Sequence, residues 1–183
     1  MNVYLGGNTI MFDGIVGTIT YIKEDGILYA VGHSMSKNYI GCDVHLCEVK
    51  RVFWRLNGVE TKRIGVVIDQ NKYGLVCKMQ DLEPIAKVKM GEIYDVRLGS
   101  ASLRFNIGDG IQSCSCSIYK ITKKEILFTI TNTFFIEKAG GGLIGMSGAP
   151  LVQDGKMIGS LIKCNPFNRK KCTAIHASVM NSV

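Results

Sequence analysis

Hydrophobic and polar residues alternate along most of this chain in short runs, and turn-forming residues separate the runs. Residues 14–22 alternate and are rich in β-branched side chains, the pattern of a strand with one buried face. Residues 23–26 read as a turn and 27–31 as the returning strand, so a hairpin is expected that ends at Gly32-His33-Ser34. Further strands are predicted at 44–53, 63–69, 74–79, 85–90, 94–98, 103–107, 112–121 and 126–131. Asp154-Gly155, between the apolar runs 149–153 and 156–162, predicts a second hairpin because both turn residues tolerate positive φ. A final strand is predicted at 173–179. The one helical turn expected, at 132–138, stops at Gly140, Gly141 and Gly142. Many short strands with closely spaced turn signals predict an all-β barrel or sandwich.

Composition narrows this picture. The 183 residues suit one compact unit of one or two subdomains. The net charge is +7, but the basic residues are scattered. Their densest group, Arg169-Lys170-Lys171, falls in a predicted loop after Pro166. Without a recognition-helix pattern this argues against a dedicated nucleic-acid surface. No apolar run approaches the roughly 18 residues that a membrane-spanning helix needs. The seven cysteines are an odd number, and Met1-Asn2-Val3-Tyr4 does not open a signal peptide. Reduced thiols and a cytoplasmic location are therefore expected. A zinc site from Cys42, His45 and Cys47 is a weak alternative, because no close-spaced cysteine pair repeats. His45 itself reads as a structural residue of an alternating strand. No cofactor is expected.

The chemistry points to Gly145-Met146-Ser147-Gly148-Ala149-Pro150. A serine becomes a useful nucleophile only when a base takes its proton and donors hold the oxyanion. Glycines on both sides let the backbone turn sharply and bring amide N–H groups beside Ser147. His33, at the end of a hairpin strand, is the candidate base. It precedes the serine, which is one of the known chain orders of a catalytic triad. No cysteine occupies the nucleophile turn, which argues against a cysteine peptidase.

With these residues in view, the sequence resembles the SpoIVB-type serine peptidases of spore-forming bacteria. The resemblance rests on residues 141–159 (GGLIGMSGAPLVQDGKMIG), 14–21 (GIVGTITY), 29–33 (YAVGH) and 174–177 (AIHA), in the family's order. It implies an all-β, chymotrypsin-like double β-barrel and endopeptidase activity on a protein or peptide substrate. It also implies Ser147 as nucleophile, His33 as general base, and the Gly145 and Ser147 amides as the oxyanion hole. The walls of the substrate pocket would come from the strands around Ser160 and His176. Two departures stand out. The chain reads as a single domain, 1–183, of two barrel subdomains, without the PDZ domain and membrane anchor that family members carry. The family's catalytic aspartate lies fifteen residues before the serine, and that position here is Asn132.

Asn132 reads either as the N-cap of the helical turn or as a weakened third member of the triad. An asparagine oxygen can accept the Nδ1–H of histidine but carries no charge to stabilise the imidazolium, and the equivalent exchange in a trypsin-like site costs about 10⁴ in turnover. Asp43 and Asp69 are alternative carboxylates. The expected function is a serine endopeptidase, weakened or not. The rival is a pseudopeptidase that binds peptide segments without cutting them, and a cysteine/histidine metal module is a third reading.

Overall fold

The computed structural model describes residues 2–80 and 87–181. Fourteen strands account for most of them. In chain order they are β1 (Asn2–Leu5), β2 (Thr9–Phe12), β3 (Ile15–Lys23), β4 (Ile27–Val31), β5 (Asp43–Val52), β6 (Arg55–Asn71) and β7 (Gly74–Met79). There follow β8 (Lys87–Met90), β9 (Gly99–Asn106), β10 (Ile111–Ile121) and β11 (Glu125–Ile130). The last are β12 (Pro150–Gln153), β13 (Lys156–Cys164) and β14 (Lys171–His176). Two short helices, α1 (Thr133–Ala139) and α2 (Ala177–Asn181), complete the described chain.

The pairings close two rings. In the first, β3 pairs with β2, β2 with β5, β5 with β6, β6 with β7, β7 with β4, and β4 again with β3. In the second, β9 pairs with β10, β10 with β11, β11 with β14, β14 with β13, β13 with β12, and β12 again with β9. Closure leaves no free edge within either ring. The seam between them is thin. β1 pairs with β3 on one side and β8 on the other, and β8 meets β13 in parallel through Lys89–Lys156 and Met90–Met157.

Each barrel is filled by the inward half of its alternating strands. β11 shows the principle, with Ile126, Phe128 and Ile130 buried and the residues between them half-buried. They pack with Leu103, Phe105, Ile118, Leu151 and Ile158 in the second core. The first core is built around Ile10, Phe12, Ile19, Leu28, Val44, Ile64 and Leu75. A third cluster, with Val3, Tyr21, Met90, Met157, Ala177 and Met180, draws on residues from both sides of the seam. Among the described residues no helix is long and apolar enough to cross a membrane.

Most expected strands appear within a residue or two, but some differ. β6 runs from Arg55 rather than from residue 63, because β5 and β6 form a long hairpin whose outer half, apart from the buried Leu56, is largely exposed and lacks a clear alternating pattern. The strands β1 and β2 carry no sequence expectation at all. No strand forms at 94–98. Instead a 3-10 turn spans Ile93–Asp95, where Glu92 and Asp95 cap one another. The last strand stops at His176 and the chain turns into α2. Of the strand expected at 85–90, residues 85 and 86 lie outside the described residues.

Candidate active site

The chain leaves β4 through two consecutive left-handed residues, Val31 (φ 77°) and Gly32 (φ 81°). A β-branched residue in that region is strained by about 1–3 kcal/mol and persists only where its surroundings hold it. Val31 is held by its pairing with Gly74 and by burial in the first core. The turn brings His33 out of the sheet, half-buried. The loop that follows is pinned to β6, with Tyr39 N donating to Gln70 Oε1 at 2.7 Å and Gln70 Nε2 donating to the Lys37 carbonyl at 2.8 Å. His33 Nδ1 donates to the Ser34 carbonyl at 2.9 Å. That bond selects the tautomer whose Nε2 is free to accept a proton.

The turn carrying Ser147 is held to the first barrel, although the strands around it belong to the second. Thr18 N donates to the Ser147 carbonyl at 3.1 Å, and Thr18 Oγ1 donates to the Gly145 carbonyl at 2.9 Å in a buried bond. Gly148 has φ 98°, and a Cβ there would collide with the Thr18 carbonyl and the Val31 amide. A Cβ on Gly32 would lie 2.7 Å from Ser160 Oγ and 3.5 Å from Gly148 Cα. The residue before His33 and the residue after Ser147 are therefore in contact through their backbones.

The amides of this turn are almost all used. Gly142 N donates to Arg169 O, Ile144 N to Trp54 O, Met146 N to Leu143 O, Gly148 N to Leu161 O and Ala149 N to Met146 O. Leu143 N donates to Met146 Sδ. Between 142 and 149, Gly145 and Ser147 are the two whose amides donate to nothing among the described residues. They are the pair that the family resemblance implies for an oxyanion hole. Beside Ser147 opens a cavity of about 570 Å³, walled by Trp54, Leu143, Ile144, Leu161, Ile162 and Cys164, with Lys163 and Arg169 also on its lining.

The remaining predicted residues fall elsewhere. Asn132 is the N-cap of α1, its Oδ1 accepting from Phe135 N at 2.9 Å. No hydrogen bond joins it to His33. Asp43 pairs with Arg63 at 2.7 Å, and Asp69 Oδ1 accepts from the Gln70 amide. Neither makes an ion pair with His33. Ser160 and His176 are fully buried and do not line the cavity. Ser160 sits under Gly32, with its hydroxyl 3.3 Å from Thr20 Oγ1. His176 Nε2 donates to the Thr122 carbonyl at 2.7 Å, and its buried Nδ1 has no partner. The cavity wall contributed by β13 is Leu161 to Cys164, one to four residues beyond Ser160. Trp54, from the β5–β6 hairpin, and Arg169, from the loop after Pro166, line the cavity although neither was expected at the site. All seven cysteines are free thiols, and among the described residues no three metal-ligating side chains gather.

Among solved structures, the active form of the Rv3671c protease from M. tuberculosis superimposes with a TM-score of 0.62 at 14% identity, over 96% of this chain and 78% of that one. The inactive form of that protease gives a TM-score of 0.64 at 14% identity, over 99% and 85%. The serine protease of human pathogenic astrovirus gives a TM-score of 0.58 at 11% identity, over 92% and 86%. At these identities the likeness establishes the fold, the double barrel of chymotrypsin-like serine proteases. No curated protein matches the sequence. The family model for SpoIVB peptidase S55 matches residues 53–180, a span that holds Asn132 and Ser147 but not His33, and with this match the chain belongs to the SpoIVB peptidase S55 family.

Proposed function

We propose that this chain is a serine endopeptidase in which Ser147 attacks the scissile carbonyl and His33 Nε2 takes the hydroxyl proton. The observation that carries the reading is the pair of unpartnered amides, Gly145 and Ser147, in a turn whose other amides are bonded. Donors left free in a rigid turn cost nothing to reorganise when an oxyanion forms in front of them. His33 then passes the proton to the leaving amine, and water releases the acyl group from Ser147 by the reverse steps. The apolar walls of the neighbouring cavity suit a large uncharged side chain of the substrate.

The support for His33 is weaker than in a full triad. The Ser34 carbonyl fixes the tautomer but adds no charge to stabilise the imidazolium. Asn132, at the position of the family's aspartate, has its oxygen engaged by the helix it caps. No hydrogen bond joins it to His33, whose Nδ1 is engaged by Ser34 instead. The same observation favours a second reading, in which the site binds peptide segments without cutting them. A fluorophosphonate probe decides between them. Labelling of wild type but not of Ser147→Ala supports the peptidase. A folded wild-type protein that takes no label supports the binding module.

A further inference from the structure

Four of the seven thiols lie in the second barrel, and one of them, Cys164, stands at the wall of the cavity beside Ser147. Cys164 on β13 and Cys172 on β14 are register partners. The next residues on either side exchange a bond, Asn165 N to Lys171 O at 2.8 Å. In an antiparallel ladder that flanking bond marks Cys164–Cys172 as a non-hydrogen-bonded pair, the closer of the two kinds, with Cα atoms about 4.5 Å apart. That spacing falls within the range a disulfide spans. The two sulfurs are 2.6 Å apart.

The two thiols differ in access. Cys164 is half-buried and lies on both the cavity beside Ser147 and a second cavity of about 300 Å³ behind it. Cys172 is 2% exposed. Its thiol is held well above the usual range, first by its bond to Cys164 and then by burial. Lys163 and Arg169 line the main cavity and Lys171 the second, which favours an anionic visitor.

We propose that Cys164 and Cys172 form an attack-and-resolve dithiol that reduces an anionic low-molecular-weight disulfide of the glutathione type. The Cys164 thiolate attacks one sulfur of the disulfide, forming a mixed disulfide and releasing one thiolate, which takes up a proton. Cys172 then loses its proton and attacks Cys164 Sγ, forming the intramolecular bond and releasing the second thiol. Two protein thiols and one disulfide give one protein disulfide and two small thiols, so atoms and electrons balance. The first step removes the main cause that keeps Cys172 protonated, which is its bond to the Cys164 sulfur. The first adduct projects from the cavity wall beside Ser147 and blocks it. The second step clears the cavity and ties the ends of the loop carrying Pro166 and Arg169. The consequence for the cavity rests on the peptidase reading, whereas the dithiol chemistry does not.

The test treats the full chain with oxidised glutathione, counts thiols after denaturation and maps disulfides by peptide mass spectrometry. The expected result is that wild type falls from seven thiols to five, with Cys164 linked to Cys172. Cys172→Ser should instead retain a glutathionyl group on Cys164. Cys164→Ser should keep its remaining thiols. A link involving Cys114 or Cys116, unchanged oxidation in Cys164→Ser, or seven thiols surviving where a control dithiol is oxidised would each overturn the proposal. A peptidyl diphenyl phosphonate ending in phenylalanine reads the cavity separately. It should label oxidised wild type but not glutathionylated Cys172→Ser, with dithiothreitol restoring the label. If reduced wild type takes no label, the peptidase reading fails, while the thiol map still decides the dithiol.

Discussion

Gly32 and Gly148, from opposite barrels, meet so closely that a Cβ on the first would lie 3.5 Å from the Cα of the second. One precedes His33 and the other follows Ser147, so the proposed base and nucleophile are positioned by a backbone contact with no side chain in between. Side chains can repack around a small change, but two crossing main chains cannot.

Gly148→Ala should therefore be among the most damaging small substitutions in the protein. It adds strain at φ 98° and a collision with Thr18 and Val31. We expect a loss of at least about 2 kcal/mol in a urea titration, together with loss of active-site labelling. Wild-type stability in this variant would mean that the two barrels are not locked at this crossing.

Asn132→Ala should cost about 1 kcal/mol by removing the cap bond to Phe135 N, and Asn132→Asp should be nearly neutral in stability. Because Asn132 is bonded within α1, the aspartate variant should label with fluorophosphonate within about twofold of wild type. In a trypsin-like triad the opposite exchange costs about 10⁴. A gain of tenfold or more would return residue 132 to the catalytic group.

Both outcomes bear on what could be read before the structure. The Asp154-Gly155 hairpin was legible because its turn demands two positive φ values, found at 52° and 72°. The helical turn after Asn132 was legible through its cap and its glycine stop, Gly140 at φ 79°. The serine turn and His33 could be found as local patterns. The cavity could not, since Trp54, Arg169 and Ser147 meet only through tertiary contacts. Of the pocket residues taken from the family pattern, Ser160 lies on β13, which lines the cavity, and His176 on β14, which does not; both are buried. In β13, where a register shift interrupts the pairing between Leu161 and Lys163, sequence alternation could not tell which residues face the cavity.

The cavity predicts selectivity. Peptides with phenylalanine, leucine or methionine on the acyl side of the cleaved bond should be cut, or bound, at least about tenfold better than those with lysine there. A peptide-library profile measures this. A preference for lysine would contradict an apolar wall flanked by Lys163 and Arg169.

Cys77 offers a test of the first barrel. Burial pushes its thiol up from 9.0 to about 12. The folded state thus holds this proton more tightly than the unfolded chain. Its contribution is complete below pH 9 and is lost as pH rises toward 12. Between pH 9 and 11 wild type should lose on the order of 2 kcal/mol more than Cys77→Ala, measured by urea unfolding at each pH. Parallel losses in the two proteins would show that Cys77 ionises as freely folded as unfolded.

The bond from Thr18 to Gly145 spans 127 residues, and that between Thr20 and Ser160 spans 140. During synthesis the ring from β2 to β7 is complete once Met79 has emerged, with His33 already on its rim. The chain then lacks the proposed nucleophile until Ser147 follows, and lacks the two free amides until that turn docks on Thr18. Contacts of such long range form late. On the peptidase reading a nascent or half-folded molecule is consequently inert, and the docking of one barrel on the other is the event that completes the proposed site.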